Sequence, residues 1–386
     1  MTILGIETSC DDTGIAVIEA TPTKVGVKFD ILSNVVSSQI KTHAPFGGVV
    51  PNLAAREHLK NIEPCLKTAL KEADKKMSEI DLIAVTNGPG LIPSLLIGVN
   101  FAKALAYRYK KPIIGINHIE AHIAAALILS GRGISNSKFL ISKQGPKYKI
   151  QNLFPAIALV VSGGHTQLVL VKKIGSPPHQ NFGGGDTYKI IGETRDDAAG
   201  ECFDKVAKLL NLGYPGGPAI SRQAEKWKSE FLISKSETNP KTKIQLPRPM
   251  INHKNYDFSF SGLKTAVLYL FTAQNSKLRT QDFIQEMCFE TQQAIIDVLV
   301  SKTINAAKEY RAKTVILAGG VAANKELREQ LAAAVKKIPH SLFLIPDFKL
   351  CTDNGAMIAI AAYFNQKNIK PINWKIIKAD ANLRIG

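Results

Sequence analysis

Aliphatic runs and short polar turns alternate from the first residues of the chain. Residues 3–9 (I-L-G-I-E-T-S) and 14–19 (G-I-A-V-I-E) are apolar segments joined by Cys10-Asp11-Asp12-Thr13, which predicts a β-hairpin with a small, acidic tip. A third strand is expected over 27–38. Residues 51–75 place Leu53, Ile62, Leu66, Ala69 and Leu70 at helical spacing, with Pro51 suited to a first turn. A buried strand over 82–86 precedes the loop N-G-P-G-L-I-P, and a helix capped by Ser94 is expected to run to about Arg108. A strand over 113–116 then leads into Asn117-His118-Ile119-Glu120-Ala121-His122 and an apolar helix over 123–129. Strands alternating with helices predict an α/β domain.

The pattern then recurs. Residues 156–161, the turn Ser162-Gly163-Gly164-His165-Thr166 and residues 167–171 again predict a hairpin. Helices follow, then a strand at 314–317, a helix from about Ala322, a strand at 342–345 and a last helix from Asp353. A hairpin-first α/β unit occurring twice predicts two lobes related by duplication with a cleft between them. One lobe is expected over 1–120 with 350–386, and the other over 121–349. Residues 131–151 and 229–257 are polar and basic and are expected to be an inserted surface loop and an irregular stretch.

Composition narrows the class. A chain of 386 residues, 45% hydrophobic and 21% charged, is long enough for two cores. No apolar run approaches the roughly 18–20 residues of a membrane helix. The start lacks a basic, secretory n-region, and five scattered cysteines form no C-x-x-C pair, so a reducing cytoplasm is expected. A net charge of +17 suits a polyanionic partner, although an excess of Lys over Arg is also what an AT-rich genome produces.

His118 and His122 are four apart, so on a helix both imidazoles leave one face and can grip a metal, given a third ligand from elsewhere. Two ordinary helix histidines are an equally good reading of that pair alone. Four small-residue turns stand out, at 10–14, 162–166, 215–218 and 318–321. Without a Cβ, glycine lets backbone amides approach a phosphate or ribose. No G-x-x-x-x-G-K-[ST] segment occurs, which argues against a P-loop NTPase. A nucleotide held by hairpin tips instead fits the actin–hexokinase–heat-shock ATPase type of fold. The acidic candidates are Asp11, Asp12, Asp196, Asp197, Asp204 and Asp353. Asp196 and Asp197 read as a helix start. Asp204 lies between apolar residues and needs a partner, for which a ribose diol, Lys205 or Lys208 would serve. Thr352 or Asp353 reads as an N-cap, and Asp353 equally as the third metal ligand.

Eight segments in order resemble one family: G-I-E-T-S-C-D-D-T (5–13), N-H-I-E-A-H (117–122), V-S-G-G-H-T (161–166), A-G-E-C-F-D-K (199–205), Y-P-G-G-P (214–218), D-F-S-F-S-G-L-K-T (257–265), A-G-G-V-A-A-N (318–324) and C-T-D-N-G-A-M-I-A (351–359). Over about residues 3–363 the chain resembles the TsaD family, historically called O-sialoglycoprotein endopeptidase or glycoprotease. The resemblance implies two actin-like (ASKHA, RNase H-like) lobes and an acyltransferase. Its reaction moves threonylcarbamoyl from threonylcarbamoyl-AMP to N6 of adenosine 37 in tRNAs reading ANN codons. It also implies one divalent metal ion per subunit, Fe2+ ahead of Zn2+, on His118, His122 and Asp353. Val160, Val161, Ser162, Gly163, Gly164, Asp204, Gly217 and Asn324 match substrate- and nucleotide-binding positions, with Asn324 in the first turn of its helix. Implied partners are the tRNA anticodon loop and, in a bacterial-type complex, an inactive paralogue (TsaB) and an ATPase (TsaE), with no membrane. Asp11, from its place at the first hairpin tip, is the candidate for positioning the reaction or taking the proton from N6. Asp12 stands where Glu is common in the family, the insertion at 131–151 is long, and the tail after Asn365 matches poorly.

Two other classes fit parts of the pattern. A zincin protease needs H-E-x-x-H, but Glu120 comes two residues after His118 and so leaves the helix on another face. A non-enzymatic actin-like nucleotide switch would explain the glycine turns and leave His118, His122 and Asp353 without a task.

Overall fold

An unbroken aliphatic run suits the centre of a sheet, buried on both faces. The first strand, β1 (Thr2–Glu7), is buried along its whole length and lies between β2 (Asp12–Thr23), antiparallel to it, and β4 (Leu82–Gly88), parallel to it. With β3 (Gly26–Ser38) and β5 (Ile113–Asn117) they form a sheet of order β3-β2-β1-β4-β5. The computed structural model describes residues 1–23, 26–128, 150–174, 187–234, 243–274, 279–365 and 373–385.

The second sheet is built from β6 (Ala156–Val161), β7 (Thr166–Val171), β8 (Tyr188–Glu193), β9 (Thr314–Ala318) and β10 (Leu342–Leu344), in the order β10-β9-β6-β7-β8. Counted from its own first strand this is the same 3-2-1-4-5 order. β6–β7 and β7–β8 are antiparallel, while β6–β9 and β9–β10 are parallel, as in the first sheet. The duplicated, actin-like α/β architecture expected from the recurring hairpins is therefore present in topology and strand sense.

The helices are α1 (Ile40–His43), α2 (Pro51–Glu72), α3 (Ile92–Tyr109), α4 (His118–Ala125), α5 (Ala199–Leu209), α6 (Gly216–Ser234), α7 (Ser261–Ala273), α8 (Gln281–Glu309), α9 (Lys325–Val335) and α10 (Gly355–Asn365). α2 and α3 share a core with one face of the first sheet, and α10 with the other. α5 to α9 share a core with the outer face of the second sheet. α4 lies between the sheets, and its sequence explains why. Ala121, Ala124 and Ala125 join the core of the first sheet, whereas Ile119, Ile123 and Ala126 join that of the second. These stripes leave the helix at different angles, and His118 and His122 occupy a third direction.

Glycine explains how α10 reaches its place. A Cβ at Gly5 would collide with the Gly355 carbonyl oxygen, and one at Gly14 would stand 2.8 Å from the Gly355 nitrogen. The start of α10 thus rests directly on the β1–β2 hairpin, and Asp353, two residues earlier, arrives beside that hairpin's tip. Residues 373–385 are also part of the fold. Ile377 joins the α2–α3 core, Asp380 N donates to Asn87 O at 2.8 Å, and Ile385 is buried in the core between α4 and the second sheet. Arg384 pairs with Glu193 of β8 at 3.1 Å.

Local differences from expectation have local causes. α3 starts at Ile92 with Leu91 as N-cap, and Ser94 instead donates its hydroxyl to Cys10 O at 3.2 Å. α4 ends at Ala125, earlier than expected; Leu129 lies outside the described residues. The stretch expected to be irregular from residue 229 begins inside α6, which continues to Ser234. Of the expected insertion at 131–151, residues 131–149 lie outside the described residues. Among the described residues no helix is long and apolar enough to cross a membrane.

Candidate active site

Asn117 ends β5 and caps α4: its Oδ1 accepts from Ile119 N at 2.9 Å and from Glu120 N at 3.2 Å. The cap fixes the first turn, so His118 and His122 project together, their ring centroids 4.6 Å apart. They are 5% and 1% exposed. Asp353 Oδ1 lies 3.6 Å from His118 Nε2 and 3.3 Å from His122 Nε2. Asp353 is not the N-cap of α10. Asn354 takes that part, accepting from Met357 N at 3.0 Å, and leaves the Asp353 carboxylate free to face the histidines.

The three donor groups lie within 4.8 Å of one another. His122 Nδ1 is buried with no hydrogen-bond partner among the described residues, and its Nε2 meets only Asp353. A buried imidazole so poorly satisfied is costly unless something else takes its lone pair. Two nitrogens and one carboxylate oxygen suit a divalent transition metal. The charges agree. Burial lowers the His118 pKa, but Asp353 and Glu7 outweigh it and carry it up to about 9. Asp353, though partly buried, is held below the ordinary carboxylate range by His118 and His122.

The second hairpin tip closes on the same place. Ser162 N donates to His165 O at 2.8 Å, and His165 N donates to Ser162 Oγ at 3.1 Å, making a tight turn. The His165 ring lies 6.5 Å from that of His118, and burial together with the neighbouring histidines lowers its pKa to about 4, so it is neutral. Val160 and Val161 have fully buried side chains and offer only backbone toward the tip. A Cβ at Gly163, Gly164 or Gly217 would meet nothing within 4 Å, so packing within the protein does not require glycine there. Gly216 differs: its Cβ would stand 2.5 Å from Asp204 Cα.

Asp204 finds its partner in neither lysine. Its Oδ1 accepts from Gly216 N at 2.6 Å, at the start of α6. Lys205 pairs with Asp197 and Glu201, and Lys208 donates to Phe46 O. Burial raises the Asp204 pKa to about 6, and the charge of Asp11 adds to the rise. Asp11 likewise raises Tyr214, after burial, so the first hairpin tip and the α5–α6 corner face one cleft. Asp11 and Asp12 are themselves raised, by burial and then by Asp353, Asp12 to about 7.

Asn324 is the N-cap of α9, one position before the first turn where it was expected. Its Oδ1 accepts from Leu327 N, and its Nδ2 donates to Ser221 Oγ and Gln292 Oε1, all at 2.9 Å. It borders a pocket of about 240 Å³ lined also by Ser221, Phe289 and Gln292. Asp196 does serve a helix start, but that of α7 rather than α5. It accepts from the Phe260 and Ser261 amides and from the Ser259 and Ser261 hydroxyls.

The sequence reading passed over Glu7, Ser9 and His165, all of which lie beside His118. His165 was visible in V-S-G-G-H-T. Glu7 could have been noticed as a carboxylate inside a run otherwise fit for a buried strand. Glu120 points away from the histidines, as its spacing predicted. Its Oε1 accepts from Tyr188 Oη at 3.1 Å and Asn365 Nδ2 at 3.0 Å, and burial raises its pKa to about 7. Glu120 therefore does not stand where a zincin needs its base.

The sequence profile described as TsaD, tRNA N6-adenosine threonylcarbamoyltransferase, matches residues 30–360. The tRNA N6-adenosine threonylcarbamoyltransferase of Syntrophomonas wolfei is 45% identical, over 95% of this chain and 93% of its own. That of Persephonella marina is 46% identical, over 94% and 90%. Among solved structures, an activator of 2-hydroxyisocaproyl-CoA dehydratase from Clostridium difficile with bound ADPNP covers 97% of this chain and 100% of its own. At 12% identity and a TM-score of 0.47 it adds nothing to the sheet order already described. With that profile spanning most of the chain and relatives aligned over nearly its whole length, the chain belongs to the TsaD family of tRNA N6-adenosine threonylcarbamoyltransferases.

Proposed function

We propose that this protein transfers the threonylcarbamoyl group of threonylcarbamoyl-AMP to N6 of adenosine 37 in tRNAs reading ANN codons. The observation that carries the assignment is the convergence of His118, His122 and Asp353 between two hairpin tips, one acidic and one opened by glycine. In this reading residues 1–120 with 350–386 form one lobe and 121–349 the other. The mixed donor set admits Fe2+ or Zn2+, Fe2+ being the proposed occupant. Bound there, the ion would supply positive charge toward the phosphoryl and carbonyl oxygens of the substrate.

The chain's own groups supply the rest. Backbone amides at Gly163 and Gly164 hold the phosphate or carbamoyl end, where the absent Cβ atoms permit close approach, while Val160, Val161 and Ser162 set the shape of the tip beneath them. Ionised Asp204 accepts hydrogen bonds from the ribose hydroxyls, and Gly217 lets the nucleotide lie against the start of α6. Asn324, with its amide already held by Ser221 and Gln292, presents a fixed polar edge to the adenosine. Asp11 accepts the N6 proton as N6 bonds to the carbamoyl carbon and the carbon–oxygen bond to AMP breaks. A carboxylate raised above its ordinary range by burial is better matched to that task. The net charge of +17 supports tRNA as the polyanion, and TsaB and TsaE are the proposed partners in a bacterial-type cytoplasmic complex.

The deciding test combines the protein and its partners with threonylcarbamoyl-AMP and unmodified tRNA, read by nucleoside mass spectrometry. Threonylcarbamoyladenosine is the expected product. A nucleotide-binding switch would bind the adenylate and leave the tRNA unchanged.

Asp204 imposes a pH dependence. Its carboxyl is half protonated at about 6, and ribose hydroxyls donate best to the ionised form, so nucleotide affinity rises with pH through 6 and then levels off. Affinity at about pH 5 should be roughly tenfold weaker than at about pH 7.5, since about nine in ten carboxyls are then protonated. Calorimetric titration across this range checks it, and Asp204→Asn should flatten the profile.

A further inference from the structure

Only one of the two ligand histidines is held from behind. His122 Nδ1 has no hydrogen-bond partner among the described residues, whereas His118 Nδ1 lies 3.2 Å from Glu7 Oε2 and 3.2 Å from Ser9 Oγ. Glu7 ends β1 and is fully buried. A buried carboxylate is strongly penalised unless donors surround it. Glu7 has them: Oε1 accepts from Ser9 N at 2.5 Å, and Oε2 accepts from Thr86 Oγ1 of β4 at 2.5 Å. With both oxygens engaged by backbone and hydroxyl, the carboxylate cannot turn away, and its free lone pair points at the imidazole.

We infer that Glu7 is a positioning residue of the metal centre, one that takes a hydrogen bond from His118 Nδ1–H and so presents the Nε2 lone pair to the metal. The inference rests on the reading of His118, His122 and Asp353 as a metal site. The geometry favours this role over plain burial of a strand carboxylate. Nε2 of the same ring is the nitrogen that faces Asp353, at 3.6 Å, so a proton on Nδ1 leaves the correct nitrogen bare. An acceptor behind a ligand imidazole both fixes the tautomer and raises ligand basicity, and its loss typically weakens metal binding about 10–100-fold. Ser9 Oγ cannot replace it, since a hydroxyl can equally donate to Nδ1 and stabilise the opposite tautomer.

The test titrates Co2+ into metal-free wild type and Glu7→Gln and follows the d–d absorption. The amide keeps the size of the side chain and can still accept from Ser9 N, but it offers no charge and can donate to Nδ1. Co2+ affinity is expected to fall about 10–100-fold, with the metal-free melting temperature followed alongside. Equal affinity in the two proteins overturns the role of Glu7 while leaving the metal site intact. Failure of wild type to bind Co2+ overturns the site itself. A second measurement needs no variant: nitrogen-15 spectra of the Zn2+-loaded protein should show the His118 proton on Nδ1, and a proton on Nε2 would overturn the inference even if Glu7→Gln fails to fold.

Discussion

Asp353→Ala is expected to abolish tight metal binding and to lower threonylcarbamoyl transfer by roughly 10²–10³-fold, the scale of removing one principal stabiliser of developing charge. The substitution leaves the start of α10 intact, because Asn354, not Asp353, accepts the Met357 amide. It removes the carboxylate that faces both His118 Nε2 and His122 Nε2, so two nitrogens remain where three donors stood. Co2+ or Zn2+ titration reads the first effect, and single-turnover transfer to unmodified tRNA reads the second. Transfer within about threefold of wild type would remove Asp353 from the site.

Asp11→Asn should separate binding from chemistry. Asp11 lies at the first hairpin tip and is not one of the three groups that converge as the candidate metal site, so metal affinity should stay close to that of wild type. If it receives the N6 proton, kcat should fall about 10²–10⁴-fold with KM for tRNA little changed. The asparagine keeps the shape of the tip and cannot take a proton. Asp11→Ala retaining full transfer with metal still bound would sink the assignment. The nearby Asp12 provides a contrast. It opens β2 and is also raised, to about 7, so the pH profiles of Asp11→Asn and Asp12→Asn together show which carboxylate titrates in the rate.

The histidine helix shows how far local pattern carries. Its start at Asn117, the shared direction of His118 and His122 and the diversion of Glu120 all follow from 3.6-residue periodicity and capping, which act within a turn or two. The paired hairpins were legible for the same reason, since alternation of apolar runs and small turns is local. Asp204 and Asn324 show the limit. Both were singled out by neighbouring residues in sequence, yet their partners come from other helices: Gly216 N for Asp204, and Ser221 and Gln292 for Asn324. Nothing in E-C-F-D-K-V prefers an amide at the start of α6 over Lys205 or Lys208.

By itself the sequence determined the two α/β units, the histidine pair on one helix face, the glycine-opened turns and a family likeness sufficient to name Asp353. Only the tertiary structure decided that Asp353 reaches the pair. That contact depends on Gly5 and Gly14 letting the start of α10 rest on the first hairpin, and on α4 lying between two sheets. It alone also revealed Glu7 behind His118 and His165 beside it. Both come from strands and turns remote in the chain, and whether such groups meet is set by how layers pack, an energy shared over whole faces rather than written at any one residue.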